Sequence, residues 1–291
     1  MEYQEHALQD LFRVDGIVNA RKLHCSRDWQ FEGERHSCWE LQYMADGNTF
    51  VHLNNRFYRL QKGELILFRP DSFHVVYADG EAPAEMWVIS FSSAGNPPAA
   101  VGRGIFSVSA RCEALLREIL ETVEAGFRCS ERTDVPELLQ RRQTAPPGND
   151  QLIRIRLEQV LLLLMRAAEG TGAFAGWRGL QETDGHAFLA ERIRSFMLQR
   201  VEGRLCLEQV ARAFYISESM VKTVYKQRFG ISLIADYHRQ KAERARLLLC
   251  RQDLTIGQIA ATLGFETPYY FSNFFKKHMG VAPSAYRKSL E

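Results

Sequence analysis

Two parts of the chain carry residue types that could do chemistry. In the first third, GERHSCWELQYMADG places His36 three residues ahead of the pair Trp39–Glu40, and KGELILFRPDSFH ends on His74. Imidazole and carboxylate groups suit a divalent metal. They also suit hydrogen bonds to a polar small molecule, and each histidine alone suits a buried polar neighbour. In the last third, LGFETPYYFSNFFKKHMG is half aromatic and half basic. Phe271, Phe274 and Phe275 have the spacing of an inward helical stripe, while Lys276 and Lys277 invite a negatively charged partner. The six cysteines, at 25, 38, 112, 129, 206 and 250, form no C-x-x-C pair. That argues for reduced thiols in a cytoplasm and against a zinc site or a disulfide frame.

Those residues need elements to hold them. The composition, 46% hydrophobic and 25% charged over 291 residues, is that of a globular protein long enough for two domains. No apolar run reaches membrane-spanning length and the acidic, polar N-terminus is no signal peptide, so no membrane partner is expected. From about 12 to 92 the chain reads as short strands: WELQYM, TFVHLN, RFYRL, ELILF, HVVYA and EMWVISF, separated by turn residues. Such spacing predicts a small barrel or jelly roll. Residues 92–104 read as a loop. Two amphipathic helices follow, at 110–126 and 150–168, with a mobile-looking connection between them. The second is apolar around much of its girth, which predicts cover on more than one side. The Gly-rich stretch 169–185 reads as a linker, set at 171–185 between the two domains. Charge is split between the parts: residues 186–291 hold 17 Lys and Arg against 9 Asp and Glu, a net +8, and the rest carries −6.

The basic third contains itself twice. Residues 205–230 align with 254–280: Gln209, Val210 and Ala211 with Gln258, Ile259 and Ala260; Val221, Val224 and Tyr225 with Phe271, Phe274 and Phe275; Lys226 with Lys276; Gly230 with Gly280. Ser217 and Thr267 suit helix N-caps. Each unit reads as a short helix, a tight turn and a second helix. In a helix-turn-helix the second helix packs by one face and enters the major groove by the other. The outward residues are Ser219, Met220, Lys222, Thr223 and Lys226 in the first unit, and Pro268, Tyr269, Ser272, Asn273 and Lys276 in the second. Lys226 and Lys276 suit phosphate; Lys222 suits guanine and Asn273 adenine.

Residues 186–291 resemble the DNA-binding domain of the AraC/XylS family of transcription regulators. The signature stands here as Ile259, Ala260, Gly264, Phe265, Tyr270, Phe271, Phe275, Lys276, Gly280, Pro283, Tyr286 and Arg287. The resemblance implies two helix-turn-helix units joined by a long helix, here about 233–250, whose face carries Arg239, Lys241, Arg244 and Arg246. It departs at Phe214-Tyr215, where the family often has a glycine turn. It also implies contact with RNA polymerase.

Residues 20–92 resemble the two sequence motifs of the cupin barrel, through His36, Glu40, Gly47, Gly63, Pro70 and His74, although the first metal histidine of that pattern falls at Glu34. The fold expected is therefore α+β: a cupin-like β-barrel with accessory helices (1–170), then an all-α domain (186–291). The function expected is a cytoplasmic, homodimeric transcription regulator, an activator of carbohydrate-related genes. Its partners would be double-stranded DNA and a small effector such as a sugar. Arg35, His36, Trp39, Glu40 and His74 would line the effector pocket, without metal or cofactor. Two alternatives are a metal-dependent cupin enzyme fused to a DNA-binding module, and a DNA-repair methyl acceptor, which needs an activated cysteine.

Overall fold

The computed structural model describes residues 3, 5–31, 33–54, 56–94, 102, 104–128, 139–170, 175–180 and 185–290. The chain divides into two compact units, Met1–Thr183 and Asp184–Glu291.

In the first unit the strands are β1 (Arg13–Cys25), β2 (Trp39–Asp46), β3 (Asn48–Leu53), β4 (Arg56–Gln61), β5 (Glu64–Phe68), β6 (His74–Ala78), β7 (Ala84–Ala94) and β8 (Gly104–Val108). Helix α1 (Ala110–Gly126), the short β9 (Phe127–Arg128) and β10 (Gln140–Arg141), helix α2 (Asn149–Ala168) and β11 (Ala175–Gly179) follow. Most of the loop read at 92–104 lies outside the described residues, as does 129–138 of the connection between the helices; β7 continues to Ala94. Of the stretch read as a linker, 171–174 and 181–184 also lie outside. Ala175–Gly179 is a strand paired antiparallel with β8, and Arg178 on it grips Glu64 through two hydrogen bonds of 3.1 and 3.0 Å.

The strands do not close into the expected barrel. They form a six-stranded sheet in the order β1-β7-β2-β5-β8-β11 and a separate three-stranded sheet, β4-β3-β6. Among the described strands β1 pairs only with β7 and β11 only with β8, so both edges of the large sheet stay open. Layering explains this. Side chains alternate across a strand. Trp39, Leu41, Tyr43, Leu65, Leu67, Trp87, Ile89 and Phe91 face one way and share a core with Leu116, Ile119, Leu157, Leu161 and Leu164 of the two helices. Met44, Ile66, Phe68, Met86 and Val88 face the other way and pack on Val51, Leu53, Tyr58, Leu60 and Val76 of the small sheet. A sheet that buries both faces is a middle layer, not a wall curled round one interior.

The second unit is helical: α3 (Gly185–Leu198), α4 (Leu207–Ala213), α5 (Glu218–Phe229), α6 (Leu233–Leu249), α7 (Ile256–Thr262), α8 (Pro268–Met279) and α9 (Pro283–Lys288). No helix among the described residues is long and apolar enough to cross a membrane. Cys25, Cys38, Cys112, Cys206 and Cys250 are free thiols; burial pushes Cys25 and Cys112 up to about 11, the opposite of activation.

Candidate nucleic-acid interface and effector site

Each repeat folds as helix, turn and helix. In the second unit, Thr255 and Gln258 close a capping box at the start of α7, and Thr267 Oγ1 accepts from the Tyr270 N–H at the start of α8. In the first, Ser217 Oγ accepts from the Met220 N–H of α5. The two turns share one hydrogen-bond pattern: Tyr215 N–H donates to Arg212 and Ile216 N–H to Ala211, as Gly264 N–H does to Ala261 and Phe265 N–H to Ala260. The glycine missing from the first turn is replaced by Tyr215 held at φ 53°, beside 72° at Gly264. A bulky residue there stores of the order of 1–3 kcal/mol of backbone strain, which the packing around it must overcome.

The inward stripes are buried. Val221, Val224 and Tyr225 are fully covered, as are Phe271 and Phe275, which pack with Ile259, Leu263, Leu248 and Leu249; Phe274 is only half-buried. On the opposite faces Ser219, Lys222, Thr223, Lys226, Pro268, Tyr269, Asn273 and Lys276 are exposed, while Met220 and Ser272 are half-buried. The Ser272 hydroxyl donates to its own helix, at the Pro268 carbonyl, 2.8 Å away. Lys222 is 4.0 Å from Glu218. Lys226 and Lys276 have no ion-pair partner among the described residues. The cations expected on α6 are otherwise engaged: Arg239 with Asp236, Arg244 with Glu202, Arg246 with Glu243, and Lys241 is buried with its ammonium on the Gly203 carbonyl. Tyr270, 58% exposed beside Tyr269, was not among the outward residues read from the sequence. Its place at the exposed start of α8 was the available signal.

In the first unit the structure brings together His36, Glu40 and His74, and adds Glu34. His36 Nε2 lies 3.3 Å from Glu40 Oε2 and 3.7 Å from Glu34 Oε1. His74 Nε2 lies 3.4 Å from Glu40 Oε1 and 3.8 Å from Glu34 Oε1. Register makes the cluster: Gln30, Phe31 and Glu34 lie beside β6, where Glu34 and His74 exchange backbone hydrogen bonds. Phe68 stacks on the His74 ring at 4.0 Å. Burial opposes charge on Glu40, but His36 and His74 outweigh it and hold the carboxyl well below its usual range. Burial, and then Glu40 itself, push Glu34 up. The Cys38 thiol and then Glu40 push His36 up to about 11.

Trp39 and Arg35 do not join this cluster. Trp39 is one residue from Glu40, so it projects from the other face of β2 into the core shared with the helices. Arg35 is exposed. Glu34 was legible as the position where the cupin pattern puts a histidine; the spacing Glu34-x-His36-x3-Glu40 was the signal.

The chain matches two protein-family models: "AraC-like ligand binding domain" over residues 20–176 and "Helix-turn-helix domain" over residues 210–289. It is similar to the MmsAB operon regulatory protein of Pseudomonas aeruginosa, 26% identical over 91% of this chain and 80% of that one. It is 32% identical to the arabinose operon regulatory protein of Escherichia coli, over 29% of each chain. Among solved structures, the C-terminal domain of AraT, a response regulator from Geobacillus stearothermophilus, matches 35% of this chain and 84% of its own length, at 35% identity and a TM-score of 0.34.

Proposed function

The chain belongs to the AraC family of regulators, with a ligand-binding domain followed by a double helix-turn-helix, and from that premise we propose that it is an effector-responsive activator acting at a short asymmetric operator. The class is DNA-binding and non-catalytic. The observation that carries the reading is the pair of capped, matched units. Each buries one stripe of its second helix and leaves the other face exposed, with a lysine at the same aligned place, Lys226 and Lys276, that has no ion-pair partner among the described residues.

In this reading α5 and α8 enter successive major grooves. Lys226 and Lys276 neutralise phosphate; Lys222, Thr223 and Asn273 meet base edges. Ser219 and Pro268 border the same faces, and Tyr269 packs on a thymine methyl. Met220 and Ser272, half-buried, line the base of the contact. The effector is a small polar molecule such as a sugar, which the regulated genes would handle. It binds in the first unit around His36, Glu40 and His74, with Arg35 at the rim. To change transcription it must bind two arrangements of the protein with different affinity. RNA polymerase is the partner at the promoter.

A selection from random duplex DNA tests this, with full-length protein at fixed salt and with or without a panel of sugars. Enrichment of one asymmetric motif, altered by one sugar, is the expected result. Binding that is sensitive to salt but enriches no motif would sink the operator reading. A motif indifferent to every sugar would sink the sugar.

A further inference from the structure

We infer that Glu34, His36, Glu40 and His74 form a binding site for one first-row divalent transition-metal ion. This goes beyond the regulator reading, which assigns these residues to an organic effector, and it stands on the geometry of the cluster.

The four donor atoms lie within 4.8 Å of one another. A tetrahedral ion with bonds of about 2.0–2.2 Å puts neighbouring donors about 3.3–3.6 Å apart. Glu34 Oε1 lies 3.7 and 3.8 Å from the two imidazole nitrogens, just outside that range, and each oxygen of Glu40 faces one imidazole, Oε2 at 3.3 Å from His36 and Oε1 at 3.4 Å from His74. Closing the set onto an ion therefore takes side-chain shifts of about an ångström or less.

The atoms behind the donors are placed as a metal site requires. A ligating imidazole usually donates its other N–H to a carbonyl, which fixes the tautomer. Here His36 Nδ1 is 3.0 Å from the Cys38 carbonyl and His74 Nδ1 is 3.2 Å from the Ser72 carbonyl. A carbonyl can only accept, so these contacts select the tautomer with hydrogen on Nδ1, and Cys38 Sγ, 3.3 Å from His36 Nδ1, then accepts from the same hydrogen. With Nδ1 turned to a carbonyl, Nε2 is the nitrogen of each ring that faces the cluster, and it becomes a donor to an ion once any proton on it leaves. Neither Nε2 makes an aligned hydrogen bond, although both are buried and His74 is wholly so. The ligating carboxylate is itself held: Gln42 Nε2 donates to Glu40 Oε1 at 2.9 Å and Ser90 Oγ to Oε2 at 3.2 Å.

The donor set also chooses the ion. Two imidazoles exclude a preference for Mg2+ or Ca2+, and two carboxylates without a thiolate disfavour Cu+. Cu2+, Zn2+, Ni2+, Co2+, Fe2+ and Mn2+ remain. As the ion enters, any proton on an Nε2 atom leaves to solvent, and the ion takes over the positive charge that the imidazoles supply to Glu40. The side chains of Glu34 and His36 are 39% and 18% exposed, so the ion enters from their side.

The test is titration of chelator-stripped, full-length protein with Co2+, read by visible absorption and calorimetry, with Zn2+ as competitor. One equivalent is expected to bind with the d–d bands of a low-coordinate site, and Zn2+ should displace it. His74→Ala should abolish the bands. Glu34→Gln, at a partly exposed position that keeps the fold, should weaken binding about tenfold or more, and Ser90→Ala, which removes a hydrogen bond to Glu40, about 10–100-fold. No uptake by the stripped wild type overturns the inference. So does equal uptake by wild type and Glu34→Gln, which would mark an adventitious ion elsewhere. The motif enriched in operator selection is read by the other unit, so either failure leaves the DNA-binding reading standing.

Discussion

Lys276 and Asn273 stand three residues apart on the exposed side of α8, yet their removal should fail differently. Lys276 is a point charge with no ion-pair partner among the described residues. Lys276→Ala should weaken binding to every sequence alike and flatten the dependence of log affinity on log salt by about 0.9. Asn273 has a flat amide that can meet adenine with two hydrogen bonds. Asn273→Ala should cost about 1–3 kcal/mol at one base position and leave the salt slope unchanged. Competition assays on single-base operator variants at two salt concentrations separate the two. A uniform loss from Asn273→Ala would remove it from base readout. At the same scale, Trp39 and Glu40 show what a sequence offers and what can be overlooked. Both look like pocket residues, but adjacent residues on a strand face opposite ways, so both could not enter one site. Period-two alternation through WELQYM carried that information.

At the scale of elements, one acid of α6 ties that helix to α5. Asp236, 1% exposed, accepts from the Tyr225 hydroxyl of α5 at 2.7 Å and from Arg239 at 2.9 Å, with Gln240 at 3.3 Å. Burial opposes its charge, but these donors prevail and hold its carboxyl below the usual value of 3.8. A depressed acid contributes stability above its unfolded pKa and loses it as pH falls through the folded one. Asp236→Asn should therefore cost about 2–4 kcal/mol at pH 7 in urea unfolding of the helical unit. The wild-type and variant curves should converge as the pH drops below about 4. A constant difference down to pH 2 would rule out the carboxylate as the source. Elements of this unit were plain in the sequence, because helical periodicity, N-caps and an internal repeat are local signals. The openness of the N-terminal sheets was not. Which strand pairs with which is a matter of long-range register, and the runs that predict strands do not say whether β1 and β11 meet another edge. Nor did turn residues foretell Tyr215, whose left-handed backbone is imposed by the helices on either side.

For the whole molecule, the expected homodimer has a candidate surface. Leu152, Ile155 and Leu162 recur along one side of α2 and are 45%, 50% and 40% exposed, on a helix whose other side is buried in the core. This accounts for an apolar girth wider than one buried face needs. Ile155→Arg should convert a dimer to a monomer in sedimentation velocity while the protein stays folded. A monomeric wild type, or a variant that still dimerises, would remove α2 from the interface. A different consequence follows from the carbonyl of Gly203. Lys241 and Tyr237 of α6 both donate to it, and the Gly264 turn of the second unit rests on the same peptide, where an added methyl would sit 3.2 Å from the Gly203 carbon. The two reading heads thus share one fixed abutment, like the jaws of a gauge locked at one opening. Such a protein measures as well as reads: a single base pair inserted between its two contacts rotates the second by about 35° out of phase. Correct letters at the wrong spacing are then, to this molecule, a different word.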